Sequence, residues 1–326
     1  MPFSSLVGNE RIKKLLRRAV AEARVGQGLI FAGQRGVGKH QFALALAQAV
    51  NCERPKNGDA CGECLSCRKI SSGEHPDVHT ISPDGQFIKI GQMRDMSQEA
   101  QYRPFEGRRR VYIIDNAERL REEAANSILK TLEEPPESSL ILLVTSKPYA
   151  LLETIRSRCQ MLSFAPLTSK ELEAYLKANF KRPIEETRML ARLARGSIGR
   201  TLEIDLGVYR EKRATMLDLI EALAITRDTV KLLGAAEHLG RKLEKDEFEN
   251  HLDVLMVLLE DVFHLKLGEA ADSLTNSDAA PRLERIAEAV TLEQITELVG
   301  RVEQVLQSLA RNINRQLAME SVLITA

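Results

Sequence analysis

Two short stretches of the chain carry residue types that can do chemistry. The first is Gly33-Gln34-Arg35-Gly36-Val37-Gly38-Lys39. Glycines in this spacing let backbone N–H groups turn inward around a phosphate. A helix beginning at Lys39 adds positive potential, and the lysine adds a mobile charge. The pattern then calls for Ser or Thr, whose hydroxyl ligates magnesium. His40 stands there instead, and an imidazole suits hard Mg²⁺ poorly. Asp115 follows the apolar run Arg110–Ile114, where a Walker B carboxylate belongs. In catalytic versions of such a site a glutamate comes next. Here Asn116 does, and an amide cannot act as a general base. Glu118 is acidic but lies two positions further on and is expected to point elsewhere. Defects in two separate elements predict a domain that keeps an ATPase fold without its turnover. Weak hydrolysis through substitute ligands is the alternative, and whether ATP or ADP still binds stays open.

The second stretch holds Cys52, Cys61, Cys64 and Cys67, spaced C-x8-C-x2-C-x2-C. A C-x2-C turn lets two thiolates converge on one tetrahedral ion, and Gly62 loosens the first such turn. Four sulfurs close the coordination sphere, which makes the site structural rather than catalytic. Structural Zn²⁺ is the preferred ion. An iron–sulfur cluster also takes four cysteines, but its familiar spacings differ. A redox pair or a set of unpaired thiols is the bland alternative. Cys159 has no metal-spaced partner and reads as a small buried residue. His75 and His79 lie nearby, but four thiolates leave them no place in the sphere.

The elements that must position these groups can be read from patterning. The 326 residues are 44% hydrophobic and 28% charged, the balance of a globular chain of two or three domains. The 46 basic and 46 acidic residues cancel, so overall charge argues for neither a nucleic-acid coat nor a membrane anchor. Aromatics are only 4%, with no Trp, which disfavours base stacking. No apolar run approaches the roughly 20 residues of a membrane helix, and no signal peptide is evident. The cytoplasm is the expected compartment. Apolar runs at Leu29–Ala32, Val78–Ile81, Arg110–Ile114, Leu140–Val144 and Gln160–Phe164 predict five strands. Their apolar character predicts a parallel sheet buried on both faces by helices. Helices are expected over 41–50, 91–102 and 121–134, the last stopped by Pro135-Pro136. From about Pro166 strand signals cease. Helices are expected over 169–179, opened by a Thr168/Glu171 capping signal, and over 184–195 and 248–267. Val302, Val305, Leu306, Leu309, Ile313 and Leu317 form one further stripe, read with 248–267 as bundle core.

The run beginning at Ala124, AANSILKTLEEPPESSLILLVTSKP, followed by TIRSRCQ, resembles the clamp-loader branch of the AAA+ ATPases. With four cysteines inserted after the phosphate-loop helix, the likeness is to the bacterial DNA polymerase III clamp loader. The degraded catalytic residues resemble its delta-prime branch. NINRQLAMESVLI, near residue 324, resembles the last collar helix of these subunits. The resemblance implies an α/β fold: a RecA-like AAA+ domain over 1–165 with a zinc module near 51–70, a helical lid over 166–208, and an all-α collar over 209–326. It implies a ring with delta and gamma/tau subunits that places the sliding clamp on primed DNA. It also implies that Arg158, between Ser157 and Cys159, acts in trans on a neighbour's ATP. Read from residues alone, Arg158 is a surface arginine.

The resemblance further marks Thr145 and Ser146 as a sensor position, where they orient water or cap the turn before Pro148. In Gly196-Ser197-Ile198-Gly199-Arg200 the motor pattern places arginine directly after Gly-Ser-x. Gly199 holds that place and Arg200 is shifted by one, a third defect. The run Arg108-Arg109-Arg110 reads as solvated surface. Two other readings compete. A catalytic motor subunit of the gamma/tau type requires Ser or Thr at 40 and Glu at 116. A stand-alone zinc-dependent DNA-binding protein requires a basic recognition helix beside the cysteines, and the flanks offer none.

Overall fold

Five parallel strands carry the phosphate loop: β1 (Gly28–Gly33), β2 (Val78–Ile81), β3 (Arg110–Ile114), β4 (Ser139–Thr145) and β5 (Gln160–Phe164). In the computed structural model, which describes residues 1–309 and 313–324, their order is β2-β3-β4-β1-β5. This is the RecA-like AAA+ sheet. Leu29 lies opposite Leu142 of β4 on one side and Gln160 of β5 on the other.

Period-2 alternation divides each central strand between two cores. Leu29, Phe31, Val111, Ile113, Leu140 and Leu142 face α1 (Glu10–Ala21), α2 (Lys39–Asn51) and α3 (Leu65–Ser72). Ile30, Tyr112, Ile114, Ile141 and Leu143 face α4 (Ile90–Glu99), α5 (Glu122–Ser127), α6 (Leu129–Glu133) and α7 (Glu153–Arg156). Every residue of β4 is buried. Burial on both faces fails only at the edges, where β5 exposes Gln160, Met161 and Ser163.

The single helix expected over 121–134 is two, broken at Ile128. Ser127 Oγ donates to the carbonyl of Ala124 at 2.7 Å, and the Ile128 N–H takes the tighter i−3 bond to Ala125. A side chain competing for backbone partners interrupts the ladder there.

Beyond β5 come α8 (Ser169–Asn179), α9 (Ile184–Leu193) and α10 (Ile198–Glu203). The Thr168–Glu171 capping box opens α8 as expected. One compact unit comprises Met1–Lys181 with Ala194–Leu202; the other comprises Arg182–Leu193 with Glu203–Ala326. The second unit is helical: α9, then α11 (Leu206–Glu221), α12 (Thr229–Glu237), α13 (Lys245–Lys266), α14 (Ala280–Ala289), α15 (Leu292–Ser308) and α16 (Arg315–Ile324). Phe248, Leu252, Leu255 and Leu259 of α13 and Val302 and Val305 of α15 are buried in it. The single stripe expected from Val302 to Leu317 is not one helix. It is divided between α15 and α16, and Leu317 is 60% exposed. Asn312, in the final quoted run, lies outside the described residues. Among the described residues, no helix is long and apolar enough to cross a membrane.

Candidate nucleotide site and metal centre

The phosphate loop turns from the end of β1 into α2. Gly36 and Gly38 take φ of 78° and 95°, where a side chain would strain the backbone. At Gly36 a Cβ would also stand 2.2 Å from Ser197 Oγ, and the Gly36 carbonyl accepts the Gly199 N–H at 3.1 Å. The Gly196–Arg200 segment therefore packs directly on the loop. Lys39 Nζ donates to the carbonyls of Gly33 at 2.7 Å and Gln34 at 2.8 Å, pinning the loop. Burial lowers the pKa of its ammonium, against the pull of Glu118 and Asp115. A cavity of about 660 Å³ is lined by this loop, Asp115, Thr145, the N-terminal Leu6 and Val7, and Tyr175 and Ile198.

Those residues fit a nucleotide: glycines and a helix N-terminus suit phosphate, and the lining also includes apolar side chains. The magnesium position is altered. His40 Nδ1 is buried without a hydrogen-bond partner, 3.8 Å from Asp115 Oδ2. Asn116 is left-handed at φ 51°, and its N–H donates to Asp115 Oδ1 at 3.1 Å. Glu118 turns to Ser146, whose Oγ donates to it at 2.6 Å. Burial alone would raise the Glu118 carboxyl, but the bonds from Ser146 and Thr145 outweigh it and hold it low. Of the two roles open to the sensor pair, Thr145 Oγ1 accepts the Lys147 N–H at 3.0 Å, a turn cap, and Ser146 orients Glu118.

Arg158 lies at the other end of the sheet. A Cβ on Gly28, the first residue of β1, would be 3.6 Å from its carbonyl. The loop begins at Gly33, five residues along an extended strand, or about 16 Å. Arg158 Nε donates to Glu133 at 2.9 Å and Nη1 to the Thr154 carbonyl at 2.9 Å. Its side chain is one-third exposed, at 33%. Cys159 behind it is buried, and burial pushes its thiol up to about 11.

Cys52, Cys61, Cys64 and Cys67 place their sulfurs within 4.8 Å of one another. Cys61 Sγ is 4.0 Å from Cys67 Sγ, close to the separation of about 3.8 Å that 2.3 Å Zn–S bonds require in a tetrahedron. The N–H groups of Cys61, Cys64 and Cys67 donate to the sulfurs of Cys52, Cys61 and Cys64 at 3.3, 3.3 and 3.4 Å. Backbone N–H donors, from Glu63 above all, lower the Cys61 thiol to about 6, favouring the ligating thiolate. The four residues could hold a metal ion. His75 stays outside the cluster: its Nε2 is 3.2 Å from Ser66 Oγ.

The chain is 31% identical to the DNA polymerase III subunit delta' of Bacillus subtilis, over 96% of this chain and 94% of that protein. It belongs to the delta-prime family of DNA polymerase III clamp-loader subunits. Residues 8–168 match the family described as DNA polymerase III, delta subunit, and residues 211–326 its C-terminal counterpart. The Escherichia coli delta' subunit is 27% identical over 94% of this chain and 91% of its own. The Escherichia coli tau subunit is 33% identical over 72% of this chain but only 37% of tau.

Sequence reasoning missed a buried polar network behind this delta-prime sheet. Asp77, with no solvent exposure, accepts the N–H groups of Phe105, Glu106 and Gly107 at 2.7–2.8 Å. Arg110, expected at the surface, instead pairs with Asp77 at 3.3 Å, and Arg109 Nη1 donates to the Val25 carbonyl at 3.0 Å. A lone Asp before a strand carries no sequence signal for such a role.

Proposed function

We propose that this chain is the non-motor delta-prime member of the clamp loader, a scaffold that lends Arg158 to a neighbouring ATPase subunit. The observation that carries the reading is the position of Arg158, about 16 Å of strand away from its own phosphate loop. An arginine there serves no phosphate bound by its own chain, yet it is accessible to another subunit. Delivered to a neighbour's γ-phosphate, its planar guanidinium spreads stabilisation over the transition-state charge. The loop of this chain, with His40 and Asn116, retains a cavity for ADP or ATP through Gly33, Gly36, Gly38, Lys39 and Asp115. It lacks the hydroxyl and general base that turnover needs.

The partners in this reading are the delta and gamma/tau subunits, with the sliding clamp and primed DNA reached through the complex. Residues 166–208 form the lid and 209–326 the collar that holds the ring together. Cys52, Cys61, Cys64 and Cys67 hold structural zinc, which supplies local folding energy and no catalytic step. The complex works in the cytoplasm. The test is ATP hydrolysis by the purified chain, then by the reconstituted loader with and without Arg158. No turnover by the chain alone and a loss with Arg158→Ala are expected. Robust hydrolysis by the lone chain, abolished by Lys39→Ala, would make it a motor.

A further inference from the structure

Asp59 sits in the loop between Cys52 and Cys61 and is only 6% exposed. Its carboxylate accepts the N–H of Ala60, the residue before Cys61, at 2.9 Å. The same carboxylate accepts the N–H groups of Phe3 at 2.8 Å and Ser4 at 3.0 Å, 56 and 55 residues earlier in the chain. Burying a carboxylate is costly unless its oxygens are hydrogen-bonded, and these three N–H groups supply the bonds. A second contact runs alongside: a Cβ on Gly62, inside the Cys61–Cys64 turn, would stand 3.6 Å from Pro2. The cysteine module and the N-terminal segment are thus joined at two points.

That segment continues into the cavity. Ser5, Leu6 and Val7 line the same 660 Å³ space as the phosphate loop. Phe3 is fully buried, with its ring 6.3 Å from that of Phe42, an α2 residue that also lines the cavity. Lys13 of α1 fixes the far side of the segment by donating to the Leu6 carbonyl at 2.8 Å. The segment's own backbone ladder is one short 3-10 turn over Phe3–Ser5, in which the Ser5 N–H donates to the Pro2 carbonyl and the Leu6 N–H to the Phe3 carbonyl, both at 3.1 Å. So short a turn does not hold itself against the conformational entropy that ordering costs, and its position depends on what grips it.

We infer that Asp59 couples the cysteine module to the nucleotide cavity: a metal held by the four cysteines orders the loop that carries Asp59, and Asp59 holds the cavity wall formed by Ser5–Val7. Asp59 touches neither ion nor nucleotide and acts as a positioning residue. The inference rests on the metal and nucleotide readings above.

The test uses the full chain in four forms: zinc-loaded, chelator-stripped, and zinc-loaded Asp59→Ala and Asp59→Asn. Zinc content, amide hydrogen exchange and ADP affinity are measured on each. Both Asp59 variants are expected to keep their zinc. Exchange at Phe3 and Ser4 is expected to quicken about tenfold or more in the stripped chain and in Asp59→Ala, with Asp59→Asn intermediate, as expected for loss of bonds to a charged acceptor. The amides of Ile141 and Leu142 in β4 serve as the internal control and should not change. ADP affinity should fall in the same order, by about threefold to tenfold. Equal exchange at Phe3 and Ser4 in the loaded and stripped chains would overturn the coupling. So would equal ADP affinity in those two forms, although the nucleotide reading would then stand. If the loaded wild type binds no ADP, the nucleotide reading falls separately, and the exchange at Phe3 and Ser4 still decides whether Asp59 transmits the metal. A chain that takes up no zinc overturns the metal half directly.

Discussion

Arg158 donates from Nε to Glu133 at 2.9 Å, and Glu133 is the first glutamate of the Leu-Glu-Glu-Pro-Pro run that ends α6. The arginine proposed to serve a neighbour is therefore held by its own subunit. An exposed pair of this kind is worth about 0–1 kcal/mol, small enough for a neighbour's phosphate to compete for it. Glu133→Gln should leave the fold intact and raise ATP turnover of the assembled loader about twofold, the factor that roughly 0.5 kcal/mol of release corresponds to. Arg158→Ala should lower turnover at the site it serves by about 10³, with the chain equally stable. A fall with Glu133→Gln as deep as that with Arg158→Ala would show that Glu133 orients the arginine rather than restraining it.

His40 stands where a hydroxyl would ligate magnesium, with its Nδ1 unpartnered beside Asp115. Nucleotide affinity of the wild type should then be insensitive to Mg²⁺. His40→Thr should make ATP bind about tenfold tighter with Mg²⁺ than without, because an oxygen ligand suits that ion. Turnover should remain at background, since Asn116 still provides no base. Titration of ATP with and without Mg²⁺ decides the point, and equal Mg²⁺ dependence in both chains would rule out His40 as the cause.

Much of this was legible in the sequence because it rests on local rules. The apolar runs located all five strands within a residue at each end, and the Thr168–Glu171 pair located the start of α8. Cysteine spacing alone brought four sulfurs together. What escaped depends on distant partners. Ile128 breaks a helix because Ser127 bonds back to Ala124. Arg110 leaves the surface because it pairs with the buried carboxylate of Asp77, 33 residues away. Leu317 continues the apolar spacing of Val302 but belongs to another helix. Asp59 looks like any loop aspartate until Phe3 and Ser4 fold onto it.

Asp77 gives a pH signature with a definite sign. Burial would raise its carboxyl, but three backbone N–H bonds and Arg110 outweigh burial and hold it below the usual 3.8. A depressed carboxyl stabilises the fold above its ordinary pKa and loses that contribution as pH falls through the folded value. Asp77→Asn weakens the charge-assisted bonds from four residues, Phe105, Glu106, Gly107 and Arg110, and should cost about 2–3 kcal/mol at pH 7. In urea unfolding of metal-free chains, the gap between wild type and Asp77→Asn should hold from pH 7 to about 4 and narrow only below. A gap that narrows between pH 7 and 5 would assign the effect to another group.

Metal removal should act on the cysteine module and on the N-terminal segment that Asp59 holds, and should spare the central sheet. Cys64 caps α3, its sulfur accepting the Cys67 N–H at 3.4 Å, so the module's one helix begins on a proposed ligand. The central strands have cores of their own: every residue of β4 is buried between two helical layers. Binding free energy at a structural metal site is local folding free energy. Chelation, or Cys64→Ser, should therefore expose the amides of residues 61–72 to exchange, while those of Ile141–Val144 stay protected. The thermal midpoint should fall by several degrees, in line with about 1–2 kcal/mol lost from a domain of this size. Simultaneous loss of protection in the module and in β4 would mean that the metal supports the whole first unit and not this module alone.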